Sequence, residues 1–141
     1  MGPQLARFAG DWTLMRAIED RRLGRSGLFE GHATFRPEGA VLRYDEAGRL
    51  SLGGATMAAR QTHLWRLEGG RIHVSFADGR PFHDFDPDLA EAAARHDCAP
   101  DLYRAIYGFG DWPCWTLRWQ VTGPVKDYTS LSRYRPANAA G

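Results

Sequence analysis

Hydrophobic and polar positions alternate along most of this chain in short runs punctuated by Gly, Pro and Asp-Gly, the pattern of an antiparallel β-meander. Gln4–Ala9 reads as one helical turn within an N-terminal stretch, residues 1–9. A first strand over Asp11–Ile18 follows, with Trp12, Leu14 and Ile18 on one parity. Gly27–Arg36 puts Phe29, Gly31, Ala33 and Phe35 on one face and Glu30, His32, Thr34 and Arg36 on the other. Ala40–Glu46 and Thr56–Leu67 read as the next strands, split by a loop containing Gly48, Gly53 and Gly54. Asp78-Gly79 signals a two-residue hairpin turn. Counting outward from it, Ala77 faces Arg80, Val74 faces His83, His73 faces Asp84 and Ile72 faces Phe85, so His83 shares the apolar face. A one-residue slip would turn it outward.

The Ala-rich stretch Asp88–Arg95 and the stretch Leu102–Tyr107, N-capped by Asp101, read as short helices within an insertion over residues 87–108. Trp115, Leu117, Trp119 and Val121 alternate cleanly with polar partners. A four-residue turn at Gly123–Lys126 then sets Tyr128 against Val121, Ser130 against Trp119 and Ser132 against Leu117. The expected fold is all-β: a single antiparallel up-and-down barrel of about eight strands, with a helical insertion between the sixth and seventh. A flexible tail is expected over residues 136–141.

Composition narrows the function classes. A chain of 141 residues, 43% hydrophobic and with five Trp, has the length and apolar content for one well-packed domain. A formal net charge of +1 with scattered basic residues gives no reason to expect nucleic acid as a partner. No signal-peptide-like or membrane-length apolar run occurs, so a cytoplasmic location without membrane association is expected. The two cysteines, Cys98 and Cys114, are expected to be free thiols. Among eighteen basic residues only Lys126 is lysine.

Two sets of residues carry family resemblances. Gly10-Asp11-Trp12, opening the first strand, resembles the Gly-x-Trp signature of lipocalin and related calycin barrels. That resemblance implies an Arg from the last strand, Arg133 or Arg135, packed across Trp12. Phe76-Ala-Asp-Gly-Arg-Pro-Phe-His83, His96-x-Cys98-x-x-Asp101-x-Tyr103 and Trp119-x-Val121-x-Gly123-Pro124-x-Lys126-Asp127 are similar to the motifs of a bacterial family known as domain of unknown function 6314. The resemblance implies a lipocalin-like barrel and brings no activity with it. The chain departs from it at Asp86–Arg95, which reads as longer and more helical.

Candidate site residues follow from parity and chemistry. His83 is an inward imidazole on an apolar wall, and Arg80 and Lys126 stand at turns of one barrel end. Tyr44, Trp65, Tyr103, Trp115, Trp119 and Tyr128 supply aromatic walls and hydroxyls. Arg16 shares the parity of Trp12, and Arg60 interrupts an apolar strand. The leading expectation is a barrel binding one small hydrophobic or aromatic ligand, neutral or anionic, with no cofactor, as a monomer or homodimer. An isomerase, cyclase or hydrolase with His83 as acid or base is the alternative, with Tyr103 or Lys126 assisting. A haem-binding barrel ligated by His83 or His96, and a plugged barrel that contacts a protein partner, complete the set. His96, Asp97, Cys98 and Asp101 match no zinc spacing, so no metal is expected.

Overall fold

The computed structural model describes residues 1–137. The tail beyond Ala137, expected to be flexible, lies outside the described residues, whereas Pro136 ends the last strand. A four-residue helical turn, α1 (Pro3–Ala6), precedes ten strands. The first six are β1 (Gly10–Asp20), β2 (Arg25–Glu38), β3 (Val41–Leu52), β4 (Ala55–Glu68), β5 (Arg71–Phe76) and β6 (Pro81–Phe85). The last four are β7 (Glu91–Cys98), β8 (Asp101–Gly108), β9 (Trp115–Thr122) and β10 (Asp127–Pro136). They form one antiparallel sheet in the order β6-β5-β4-β3-β2-β1-β10-β9-β8-β7. The sheet curls until β6 approaches β7, and this last junction has no backbone ladder. The result is a nearly closed barrel of ten strands instead of about eight.

The expected helical insertion over 87–108 is instead a hairpin, β7 and β8. Alanine favours a helix locally, but this stretch alternates against a partner: Ala92 faces Tyr107, Ala94 faces Ala105 and His96 faces Tyr103. The small inward Ala92 fits against the large Tyr107 ring, and cross-strand packing overrides propensity. Asp101 accordingly opens a strand and caps no helix.

The expected break around Gly48 is also absent, because β3 runs through it to Leu52. Gly31 and Gly48 face each other across β2 and β3, and a Cβ on either would overlap the partner strand's backbone. These glycines permit a close approach of the two strands.

One end is plugged. Phe8, wholly buried, packs edge-on against Trp65, Trp112 and Trp115 with ring centroids 5.1–5.4 Å apart. Trp12 donates its indole N–H to the Phe8 carbonyl at 2.9 Å. The expected arginine across Trp12 is not Arg133 or Arg135, which are exposed opposite Met15 and Thr13 respectively because Ser132 and Tyr134 take the inward parity. Arg7, just after α1, instead lies 4.4 Å over the Trp112 ring. Tyr134 stacks flat on Trp115 at 3.8 Å.

Candidate functional site: a cavity beneath the open end

Above the aromatic plug the inward side chains stop meeting, leaving a cavity of about 440 Å³ toward the opposite end. Two other hollows, of about 510 and 1070 Å³, are grooves bounded largely by outward-facing residues such as Arg104 and Arg118, or Met15 and Glu30. The interior cavity is the one the inward parity of the strands builds.

Its floor is a buried polar network. Arg16, on the inward parity of β1, forks onto Glu46 of β3 with N–O distances of 2.7 and 3.0 Å. Its Nε donates to Ser132 Oγ at 2.7 Å. The Tyr44 hydroxyl donates to Glu46 at 2.6 Å and stands 2.8 Å from the Tyr134 hydroxyl. Burial would raise the Glu46 pKa, since Glu46 is only 5% exposed, but the hydrogen bonds from Arg16 and Tyr44 outweigh it and hold the carboxyl below its ordinary value. Burial likewise opposes the Arg16 charge and loses to the Glu46 contacts, so the Arg16 pKa is raised. The floor is therefore an internally neutralised ion pair, and none of its buried side-chain nitrogens or oxygens lacks a hydrogen-bond partner.

The walls are aromatic with neutral polar points. Trp65 and Tyr107 reach the cavity from the plug side, while Phe76, Phe82, Trp119 and Tyr103 surround its outer half. Phe82 and Trp119 stack in parallel, 8° apart in plane, at 5.1 Å. His63 accepts a hydrogen bond from Gln61 at 2.9 Å, and burial lowers its pKa to about 4. His83 Nε2 meets the Tyr107 hydroxyl at 2.7 Å. Burial, reinforced by His63 and His96 and opposed by Asp84, lowers the His83 pKa to about 3. Both imidazoles are neutral at pH 7.

His83 reaches this place through a bulge. The pairs Val74–His83, His73–Asp84 and Ile72–Phe85 are those counted from Asp78-Gly79, but the tip is a three-residue loop, Ala77–Gly79. Phe76 N–H donates to the Arg80 carbonyl, Ser75 faces Pro81, and Phe82 is the extra residue between them. Pro81 suits the first position of an edge strand, where no ladder donor is required.

Of the residues singled out in the sequence, Tyr44, Trp65, His83, Tyr103, Trp119 and Tyr128 all line this cavity. Tyr128, Ser130 and Ser132 face Val121, Trp119 and Leu117 as counted from the Gly123 turn. Trp115 sits below, in the plug. Arg80 is 74% exposed and bound to Asp78 at the hairpin tip. Lys126 bridges Asp101 and the Tyr103 hydroxyl at 3.0 Å each, on the rim. Arg60 is exposed. Glu46, Gln61, His63 and Phe82 were missed. For the first three the signal was parity: Leu42, Tyr44 and Glu46 alternate, as do Gln61, His63 and Trp65. Among the described residues no group of three or more His, Cys, Asp or Glu side chains is disposed to hold a metal ion. Nor is any helix among the described residues long and apolar enough to cross a membrane.

Fold and cavity together define a lipocalin-like barrel plugged at one end and hollow at the other. The chain belongs to a family of unknown function (DUF6314), whose model matches residues 8–136. No curated protein sequence matches it. Its fold is similar to that of the S-type phycobiliprotein lyase CPES from Guillardia theta, with a TM-score of 0.64 at 8% identity over 96% of this chain and 92% of that one. It is also similar to a DUF3598-family protein of unknown function from Nostoc punctiforme PCC 73102. That match has a TM-score of 0.56 at 12% identity and covers 92% of this chain but 47% of the other, so the chain spans about half that protein's length.

Proposed function

We propose that this protein binds one small, mostly apolar, planar aromatic or conjugated molecule inside the open half of the barrel. The observation that carries the reading is the 440 Å³ cavity, walled by Trp65, Phe82, Tyr107 and Trp119 above a floor whose polar groups are already satisfied. Such a volume lies within the range of small-molecule sites, and flat rings match aromatic walls by offset stacking. Likeness in fold to a phycobiliprotein lyase supports the barrel as a host scaffold and transfers no substrate.

Binding is favoured over acid–base catalysis by His83. A histidine with a pKa of about 3 is a weak base near neutral pH, far from the match that general-base catalysis requires. The test is a titration with 2-acetylnaphthalene followed by two-dimensional amide and indole NMR. The expected result is a saturable one-to-one shift of the Trp65 and Trp119 indole signals, weakened about tenfold or more in Trp119→Ala. Shifts that never saturate, or that map to the outer grooves, overturn the reading.

A further inference from the structure

The groove of about 510 Å³ on the outside of the barrel is lined from both sides of the β6–β7 seam and shares no residue with the interior cavity. The strand registers lay out its floor as two rows of outward side chains on β7, β8 and β9. Ala93, Ile106 and Arg118 stand side by side in one row, and Arg95, Arg104 and Gln120 in the next. Directly opposite residues on one face have Cβ atoms about 4.5–5.5 Å apart, and diagonal ones stand about 7–8 Å apart. Arg104 is thus a direct neighbour of Arg95 and a diagonal neighbour of Arg118. Arg71, held by Asp84 at 2.6 Å, adds a fourth guanidinium from across the seam.

Such a cluster runs against the charge balance of a chain whose formal net charge is only +1. Elsewhere exposed arginines stand beside acids, as Arg21 does with Asp127, Arg36 with Asp11 and Arg43 with Asp45. In the groove four arginines meet one carboxylate, Asp84. Arg71 is engaged by Asp84, and Arg95 gives Nη2 to Asp97. The outward positions of β8 and β9 carry no acid. Among the described residues Arg104 and Arg118 therefore form neither an ion pair nor a side-chain hydrogen bond. Like charges directly opposite each other weaken a sheet, and an anion between them removes that cost.

The same grid defines what the anion is attached to. Ile106 is 48% exposed between Ala93 and Arg118, so apolar surface lies beside the guanidiniums and a bare ion would leave it uncovered. A carboxylate fork occupies one guanidinium, whereas the three oxygens of a phosphoryl group reach two or three.

We infer that this groove is a second binding site, separate from the interior cavity, for a small phosphate monoester with an apolar ring or short alkyl body. The phosphoryl oxygens lie among Arg95, Arg104 and Arg118 with Gln120 beside them, and the body covers Ile106 and Ala93.

Phenyl phosphate, inorganic phosphate and phenol test it, each titrated at pH 7.5 and followed by amide and arginine Nε–H NMR. Phenyl phosphate is expected to give saturable one-to-one shifts at Arg104, Ile106 and Arg118, and to bind about tenfold more tightly than inorganic phosphate. Phenol alone should leave those signals in place. Arg104→Gln and Arg118→Gln should each weaken phenyl phosphate about tenfold. Ile106→Thr should reduce it to the affinity of inorganic phosphate, and Arg49→Gln, on the exposed face of β3, should change nothing. All four positions are exposed, so the variants keep the fold. In the free protein at low salt, Arg104→Gln should raise the urea midpoint by relieving its repulsion with Arg95. Shifts that never saturate, shifts spread over the exposed arginines in general, equal binding of ester and free phosphate, or a lowered midpoint in Arg104→Gln would each overturn the proposal. The Trp65 and Trp119 indoles report the interior cavity separately, so either site can fail without the other.

Discussion

Arg16 and Glu46 show how a charged pair is held under an apolar cavity. Each is held by the other and by a hydroxyl, Ser132 or Tyr44, so removing one partner strands the rest. Glu46→Gln is expected to destabilise the barrel by about 3 kcal/mol in urea unfolding, with Arg16→Met/Glu46→Met recovering part of the loss. The buried imidazoles set the acid side of the stability curve in a separate window. His63 and His83 titrate in the folded protein near 4 and 3, against 6.5 when unfolded, so the unfolded chain binds more protons between those values. Their contribution is complete above pH 6.5 and is lost as the pH falls toward 4 and then 3. Glu46, with a folded pKa below its ordinary 4.5, adds to the loss only below that pH. Around His83 the titratable or charged neighbours are His63, Asp84, His96 and Tyr107; around His63 they are Glu46, Arg16, Tyr44 and His83. Urea midpoints measured from pH 7.5 to 4.5 should therefore fall in the wild type and fall less steeply in His63→Phe and His83→Phe. Equal slopes would mean that neither imidazole is held neutral by burial. Much of this site was legible as parity: the turns at Asp78-Gly79 and Gly123 placed His83, Tyr128, Ser130 and Ser132 on the inner face. Glu46 and His63 carried the same signal, but a polar residue in an alternating strand reads as solvent-facing until its partner, here Arg16 or Gln61, is known.

At the scale of elements, what defeated the sequence pattern was context distant in the chain. Glu91–Cys98 has an alanine run and no local reason to be extended. Its strand character comes from β8, where Tyr107 fills the space that Ala92 leaves and Tyr103 meets His96. The Phe82 bulge is equally non-local. A two-residue turn and the observed three-residue loop lead to the same outer register, so nothing near Asp78-Gly79 reports the extra residue that brings Phe82 beside Trp119. Gly31 and Gly48 form the opposite case, where two glycines taken separately suggest a space in the barrel and a loop, but together mark one close strand crossing. Gly31→Ala would drive its methyl into the Ala47 carbonyl, backbone that has no freedom to move aside. It should cost about 1–3 kcal/mol with little change in the unfolding slope. A neutral result would show that the β2–β3 crossing has slack.

Across the whole molecule the sheet has a beginning and an end that meet without joining. From β6 round to β7 every neighbour is laddered, whereas the β6–β7 junction is bridged by side chains: Phe82 packs on His96 at 5.1 Å and on Trp119 at 5.1 Å. Edge amides without a partner strand open at lower free energy than amides laddered on both sides. Hydrogen exchange is therefore expected to be fastest, among the strands, at seam-facing amides of β6 and β7, and slowest in β1, β2 and β10. Phe82→Ala removes the ring that spans the junction, so it should accelerate exchange in β6 and β7 and leave β1 and β2 as they were. If exchange instead rose throughout the barrel, Phe82 would be holding the core. Confinement to the seam would make the β6–β7 junction the part of the wall that yields first, next to His83. The barrel would then be rigid where it holds its polar floor and compliant along the β6–β7 seam.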